Sequence, residues 1–200
     1  MKIIFATGNK NKFAEVQKIF EGTNVELLPL SKLPEIPDII EDGETFEENS
    51  LIKVKTVFEH FGIPAIGDDT GLVVKQLDGA PGVFSARYAG ENASYEANNK
   101  KLLKELSNFP FPHRAEFVCV ATYYDGQNTV SATGKLEGEI IREYRGQNGF
   151  GYDPIFKPLG FDKTLAEITL EEKNKISHRG KAFRALLYKL LEQGIIKEIA

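Results

Sequence analysis

Hydrophobic and polar positions along this 200-residue chain change period several times, and each change predicts an element. "KIIFAT" reads as a strand, "GNKNK" as a turn, Phe13, Val16 and Phe20 as the inner stripe of a helix, and "VELLPL" as a second strand. This is an α/β opening. Residues 30–43 are acidic and carry Pro34 and Pro37, which block a regular helix, so a loop is predicted that gathers Glu35, Asp38, Glu41, Asp42 and Glu44. "TFEE" fits a capping box, with Thr45 as cap and Glu48 three residues on. Leu51, Val54, Phe58 and Phe61 then mark a helix of about four turns ending at "HFG".

"IPAIGDDTGLVV" reads as two short strand pieces on either side of Asp68 and Asp69, because Asp is disfavoured in strands and costly to bury alone. "GAPGVFSARYAG" follows neither period. "SYEANNKKLLKELSN" predicts a helix capped by Ser94, with Leu102, Leu103 and Leu106 inward. Residues 114–140 are β-rich, and "YYDGQNTV" predicts a hairpin, since Asp-Gly suits turns that need positive φ. "GQNGFGYDPIF" is a Gly-rich aromatic loop and "TLAEITLEEKNK" a polar helical segment. A last helix starts after Ser177 and buries Phe183, Leu187, Leu190 and Leu191. The fold class is α/β: a mixed, elongated central sheet with flanking helices.

Composition narrows the function classes. At 42% apolar residues, with 14 Phe and 7 Tyr, the chain can build a substantial core. No apolar run has the length of a signal-peptide core or a membrane span, so a cytoplasmic protein without a membrane partner is expected. The single cysteine, Cys119, reads as a small buried hydrophobe and rules out a disulfide within the chain. A net charge of −4 argues against a nucleic-acid polymer as partner.

Four stretches could carry chemistry. The turn between the first strand and helix, Thr7–Lys12, presents unpaired backbone N–H groups and lysines to an anion, although the same residues would serve as a plain connector. Glu41 and the Asp68–Asp69 pair offer oxygen ligands with no His or Cys nearby, which suits Mg²⁺ or Mn²⁺. Neighbours in extended chain point to opposite faces, so only one of the pair should face a ligand, the alternative being an acid that caps its own turn. His178 and Arg179 open the last helix, where cations are unfavourable without an anionic or carbonyl partner. His60 and His113 read as surface residues. "NGFGYDPIF" could form a slot for a flat base or a packed turn.

"TGNKNK", "GDDTGL", "GAPGVFSARYAG", "GFGYDPIF" and "EEKNKISHR" occur in order over nearly the whole chain, and together they resemble the Ham1 or inosine triphosphate pyrophosphatase family. The resemblance implies a single domain of two lobes around a substrate groove, a homodimer, and Mg²⁺-dependent hydrolysis of ITP, dITP and XTP to the monophosphate and pyrophosphate, with Mn²⁺ as a substitute. Carried over by position, it implies Asp69 as general base and metal ligand, and Glu41 as the second metal acid. Thr7, Gly8, Asn9, Lys10, Asn11, Lys12 and Lys53 fall on the triphosphate contacts, and Thr70 lies beside Asp69 in the substrate site. Phe150, Gly151, Tyr152 and Asp153, with Lys173, His178 and Arg179, fall on the segments that read the purine. Two departures are mild: Thr70 where relatives often carry Ser, and Asp42 directly after Glu41. The rivals at this stage are a Maf-type pyrophosphatase acting on other nucleotides and a nucleotide sensor without turnover.

Overall fold

The structure, a computed structural model, describes residues 1–199. In chain order its elements are β1 (Lys2–Phe5), α1 (Lys10–Gln17), β2 (Glu26–Pro29), α2 (Phe46–Phe61), β3 (Ala65–Val74), α3 (Tyr95–Leu106), β4 (His113–Tyr124), β5 (Thr129–Ile140), β6 (Phe156–Pro158), α4 (Leu170–Ile176) and α5 (His178–Glu192). Short 3₁₀ turns occupy parts of the loops. The strands form one mixed sheet in the order β2-β1-β3-β4-β5-β6. β1 is parallel to both β2 and β3, whereas β5 and β6 are antiparallel. Among the described residues no helix is long and apolar enough to cross a membrane.

The chain divides into two compact units. The first comprises residues 1–69, 119–134 and Arg179 onward. Its β1 is apolar on both faces, and the strand period sorts its side chains: Ile3 and Phe5 join Val16 of α1 and Phe183 of α5, while Ile4 and Ala6 join Val54 and Val57 of α2. The second unit, residues 70–118 and 135–178, is built around Leu72, Leu102, Leu106, Phe117, Ile140 and Phe156.

The capping box of α2 is present: Thr45 Oγ1 accepts from the Glu48 N–H at 3.1 Å and Glu48 accepts from the Thr45 N–H at 3.1 Å. Gly62 ends the helix in the left-handed conformation. The predicted hairpin also forms, with Asp125 Oδ1 accepting from the N–H groups of Gln127 and Asn128 in the connecting turn. Ser94 caps α3 by accepting from Ala97 N.

Four expectations are corrected. The acids do not split a strand in two, because β3 runs unbroken from Ala65 to Val74 and both carboxylates are buried against cations. The buried face of α2 is Asn49, Ser50, Lys53, Val54 and Val57, so its inner stripe is turned from the predicted one and begins polar. In α5 the fully buried apolar residues are Ala182, Phe183, Leu186 and Leu190, leaving Leu187 and Leu191 at the margin. His113 is buried rather than exposed, 4.1 Å from the Phe111 ring, and desolvation followed by the nearby Arg142 charge lowers its pKa.

Candidate active site

Two groups of polar side chains are buried in the first unit, one on each face of β3. The alternation that carries Ile66 toward α1 and α5 carries Asp68 the same way, and Ala65, Gly67 and Asp69 turn toward α2. Gly67 makes the second approach possible: a Cβ there would lie 2.9 Å from Val54 Cγ1. Strand and helix backbones can therefore draw close enough for Lys53 to reach the acid.

On the α2 face, the Lys53 ammonium lies 3.3 Å from Asp69 Oδ1 and 2.7 Å from Glu41 Oε2, and it donates to the Asp68 carbonyl at 3.0 Å. Burial pulls the Lys53 pKa down, but Asp69, Asp68 and Glu41 together outweigh it and hold the value above the ordinary one. Lys53 stays protonated. Asp69 does not benefit equally, because burial raises its pKa, Glu41 and Asp68 add to the rise, and Lys53 and Lys12 offset only part of it. One ammonium is shared between the carboxylates of Glu41 and Asp69, an arrangement of oxygen donors that suits a further cation.

On the other face, Asp68 Oδ2 accepts from Lys12 Nζ at 3.0 Å and from Arg179 Nε and Nη2 at 3.4 Å each. Arg179 Nη1 donates to Glu15 Oε2 at 2.6 Å, and both residues are 2% exposed. Burial opposes the guanidinium's charge, but Asp68 and Glu15 overcome that and raise its pKa. The anionic partner that the start of α5 requires is thus inside the protein. Cys119 Sγ lies 3.9 Å from Asp68 Oδ2 and is buried, as expected of a small hydrophobe.

The turn that leads into α1 is capped by its own Asn9, whose Oδ1 accepts from Asn11 N at 2.9 Å and Lys12 N at 3.3 Å. Thr7 Oγ1 accepts from Asn9 N. Gly8, Lys10 and Asn11 are exposed, and a Cβ on Gly8 would meet nothing within 4 Å, so the backbone there is open to an approaching group.

In the second unit, Asp153 Oδ2 accepts from Phe150 N at 2.9 Å and from Lys173 Nζ at 2.7 Å, and the Lys173 ammonium stands 4.7 Å from the Phe150 ring centre. Asp153, Lys173 and Tyr152 are buried, Phe150 and Gly151 half-buried. Tyr152 donates its O–H to the Ser85 carbonyl, and Asn99 Nδ2 donates to the Gly151 carbonyl at 3.0 Å. His178 is buried and stacks on Phe117, ring centres 4.5 Å apart and planes 15° from parallel. Thr70, which follows Asp69, is half-buried. A cavity of about 470 Å³ opens beside Phe150, lined also by Tyr95, Asn99, Tyr144 and Gly151.

Among the described residues no three His, Cys, Asp or Glu side chains form a ready metal cage. Glu41 and Asp69 nevertheless reach the same ammonium. Two carboxylates suffice for Mg²⁺, which keeps several waters and takes other ligands from substrate phosphates.

The sequence model of the Ham1 family matches residues 3–189. The chain belongs to the Ham1 family. It is 48% identical over 194 residues to a dITP/XTP pyrophosphatase of Thermoanaerobacter pseudethanolicus, covering 96% of this chain and 98% of that protein. A dITP/XTP pyrophosphatase of Geobacter sulfurreducens is 47% identical over 196 residues, covering 97% and 98%. Among solved structures, a HAM1 protein from Coxiella burnetii superposes with a TM-score of 0.88 at 40% identity, covering 96% of this chain and 99% of that one. The Staphylococcus aureus Ham1 protein gives 0.85 at 41% identity, covering 97% and 100%. The mixed α/β sheet with flanking helices is thus the Ham1 fold.

Within that fold, the buried polar residues Glu15 and Asn49 border the candidate site. Glu15 is buried beside Val16 in α1, and Asn49 lies four residues before Lys53 on one helix face. A charged or amide side chain in register with buried neighbours was the available signal.

Proposed function

We propose that this Ham1-family chain is a Mg²⁺-dependent pyrophosphatase of non-canonical purine nucleoside triphosphates, converting dITP, XTP and ITP to the monophosphate and pyrophosphate. The observation that carries the reading is the Glu41–Lys53–Asp69 corner, in a chain 48% identical along nearly its whole length to a dITP/XTP pyrophosphatase.

In the first unit, Thr7, Gly8, Asn9, Lys10, Asn11 and Lys12 receive phosphate oxygens on the open backbone around Gly8, and Lys53 adds a buried positive charge. Glu41 and Asp69 hold Mg²⁺, which when bound supplies charge neutralisation on the phosphate oxygens. Asp69 also orients and deprotonates the attacking water. Asp68 faces the other way and serves Lys12 and Arg179.

In the second unit, Phe150 and Tyr152 provide aromatic surface to the purine, with Gly151 and Thr70 allowing close approach. Asp153 fixes the loop by accepting from Phe150 N and Lys173. Lys173 and His178 are donors suited to an oxygen at C6, where adenine carries an amino group. A donor left facing a donor rejects ATP by up to ~10⁴-fold. We assign Arg179, which two carboxylates occupy, to holding Asp68 in place. A cytoplasmic homodimer completes the reading, and sedimentation at twice the chain mass checks it.

The test is release of pyrophosphate and orthophosphate from dITP, XTP, ITP, GTP, ATP and TTP, with Mg²⁺ and then with EDTA. Metal-dependent pyrophosphate from the first three, with little from the rest, is the expected result. Orthophosphate as the direct product, or no turnover, overturns it.

A further inference from the structure

The buried amide of Asn49 makes three hydrogen bonds that tie the acidic loop to β3. Its Oδ1 accepts from Gly43 N at 2.8 Å, and its Nδ2 donates to the Gly43 carbonyl at 3.2 Å and to Asp69 Oδ2 at 3.3 Å. Asn49 is 1% exposed, so none of these bonds is shared with bulk water. Gly43 is the second residue after Glu41. From this geometry we infer that Asn49 is a positioning residue, a clamp that sets the spacing between Glu41 and Asp69 before the divalent cation arrives.

The chemistry selects this side chain. One end of the clamp must accept from a backbone N–H and the other must donate to a carbonyl and a carboxylate, and a carboxamide does both while an aspartate does not donate. The loop fits the clamp closely: a Cβ on Gly43 would fall 2.8 Å from Asn49 Oδ1 and 2.7 Å from Glu48 Cβ. Glu48 adds a second tie by accepting from Glu44 N at 2.7 Å as well as from Thr45 N. The loop bearing Glu41 is thereby fastened to the first turns of α2, and Lys53, one turn beyond Asn49 on the same face, reaches both acids.

The inference rests on the reading of Glu41 and Asp69 as the metal acids, and the experiment separates the two. Mn²⁺ binding is measured by electron paramagnetic resonance on the full chain stripped with EDTA, with and without an α,β-methylene analogue of dITP. The variants are Asn49→Ala and Gly43→Ala, which disturb the clamp from either side without removing an acid. Val57→Ala, a cavity at the apolar part of the same helix, is the control for general loosening.

Partners that orient metal ligands typically contribute 10- to 100-fold in affinity, so both clamp variants should bind Mn²⁺ at least about tenfold more weakly, while Val57→Ala stays within about twofold of the parent. The Mg²⁺ concentration for half-maximal activity should rise in parallel, with thermal unfolding showing that each variant is folded. If the parent binds Mn²⁺ and both clamp variants bind it equally well, the clamp is refuted and the metal reading stands. If the parent takes up no Mn²⁺ even with the analogue, the metal reading falls and the clamp with it.

Discussion

Asp68 and Asp69 are neighbours in the chain, yet their carboxylates answer to different cations: Asp68 to Lys12 at 3.0 Å and Arg179 at 3.4 Å, Asp69 to Lys53 at 3.3 Å. The strand's alternation separates them onto opposite faces, so each carboxylate has its own set of cations.

That division gives opposite outcomes for two matched substitutions. Asp69→Asn should lower kcat by about 10² to 10⁴-fold, since general-base help is of that size. Asp68→Asn should reduce kcat less and cost about 3 kcal/mol of stability, because it removes a buried carboxylate that pairs with Arg179 and Lys12. Steady-state kinetics and thermal unfolding of both variants check this, and equal kcat losses would contradict it.

The same residue makes stability depend on pH. Asp69 has a folded pKa above its ordinary value of 3.8, chiefly through burial, so the folded chain binds that proton more tightly than the unfolded chain. Its contribution is therefore most favourable at acid pH and is lost as pH rises through the folded pKa. In metal-free protein, the stability of Asp69→Asn relative to the parent should rise as pH rises through the folded pKa and level off below the unfolded one. Urea unfolding at several pH values reads the difference directly.

Glu15→Gln removes one of the two carboxylates that hold the Arg179 guanidinium. Breaking one side of a buried pair costs about 3–5 kcal/mol. For a chain of this size that corresponds to a fall in Tm of roughly 6–20 °C. Differential scanning calorimetry measures it, and a shift below about 2 °C would show that Asp68 alone satisfies the arginine.

Base selectivity should follow the donors of the second unit. His178→Ala and Lys173→Met are expected to narrow the ratio of kcat/KM for ITP over ATP by about tenfold or more. Lys173→Met also frees Asp153 from its ammonium partner, so the His178 variant is the cleaner probe. An unchanged ratio in both removes these residues from recognition of the C6 oxygen.

How far the sequence was readable depended on whether a feature is local. Capping signals and the Asp-Gly hairpin are decided within a few residues, and they appear as expected in α2, α3 and the β4–β5 turn. The unbroken β3 was not legible, because whether two acids can stay in a strand depends on cations 15 to 111 positions away, at Lys53, Lys12 and Arg179. The buried end of α2 was missed for the same reason: Asn49 and Lys53 look like solvent-facing residues until the loop at Gly43 and the strand at Asp69 close over them. Arg179 calls for an anionic or carbonyl partner at the start of α5, and which of the protein's own acids meet it, Glu15 and Asp68, is fixed by contacts distant in the chain.

The most direct test of the central claim is hydrolysis of dITP in ¹⁸O-labelled water with Mg²⁺, followed by mass spectrometry of both products. Attack by the Asp69-oriented water at the α-phosphorus places the label in the monophosphate and leaves pyrophosphate unlabelled. Label in pyrophosphate or in orthophosphate would mean that the water attacks elsewhere, and the assignment of Asp69, Glu41 and Lys53 to the α-phosphate would have to be abandoned.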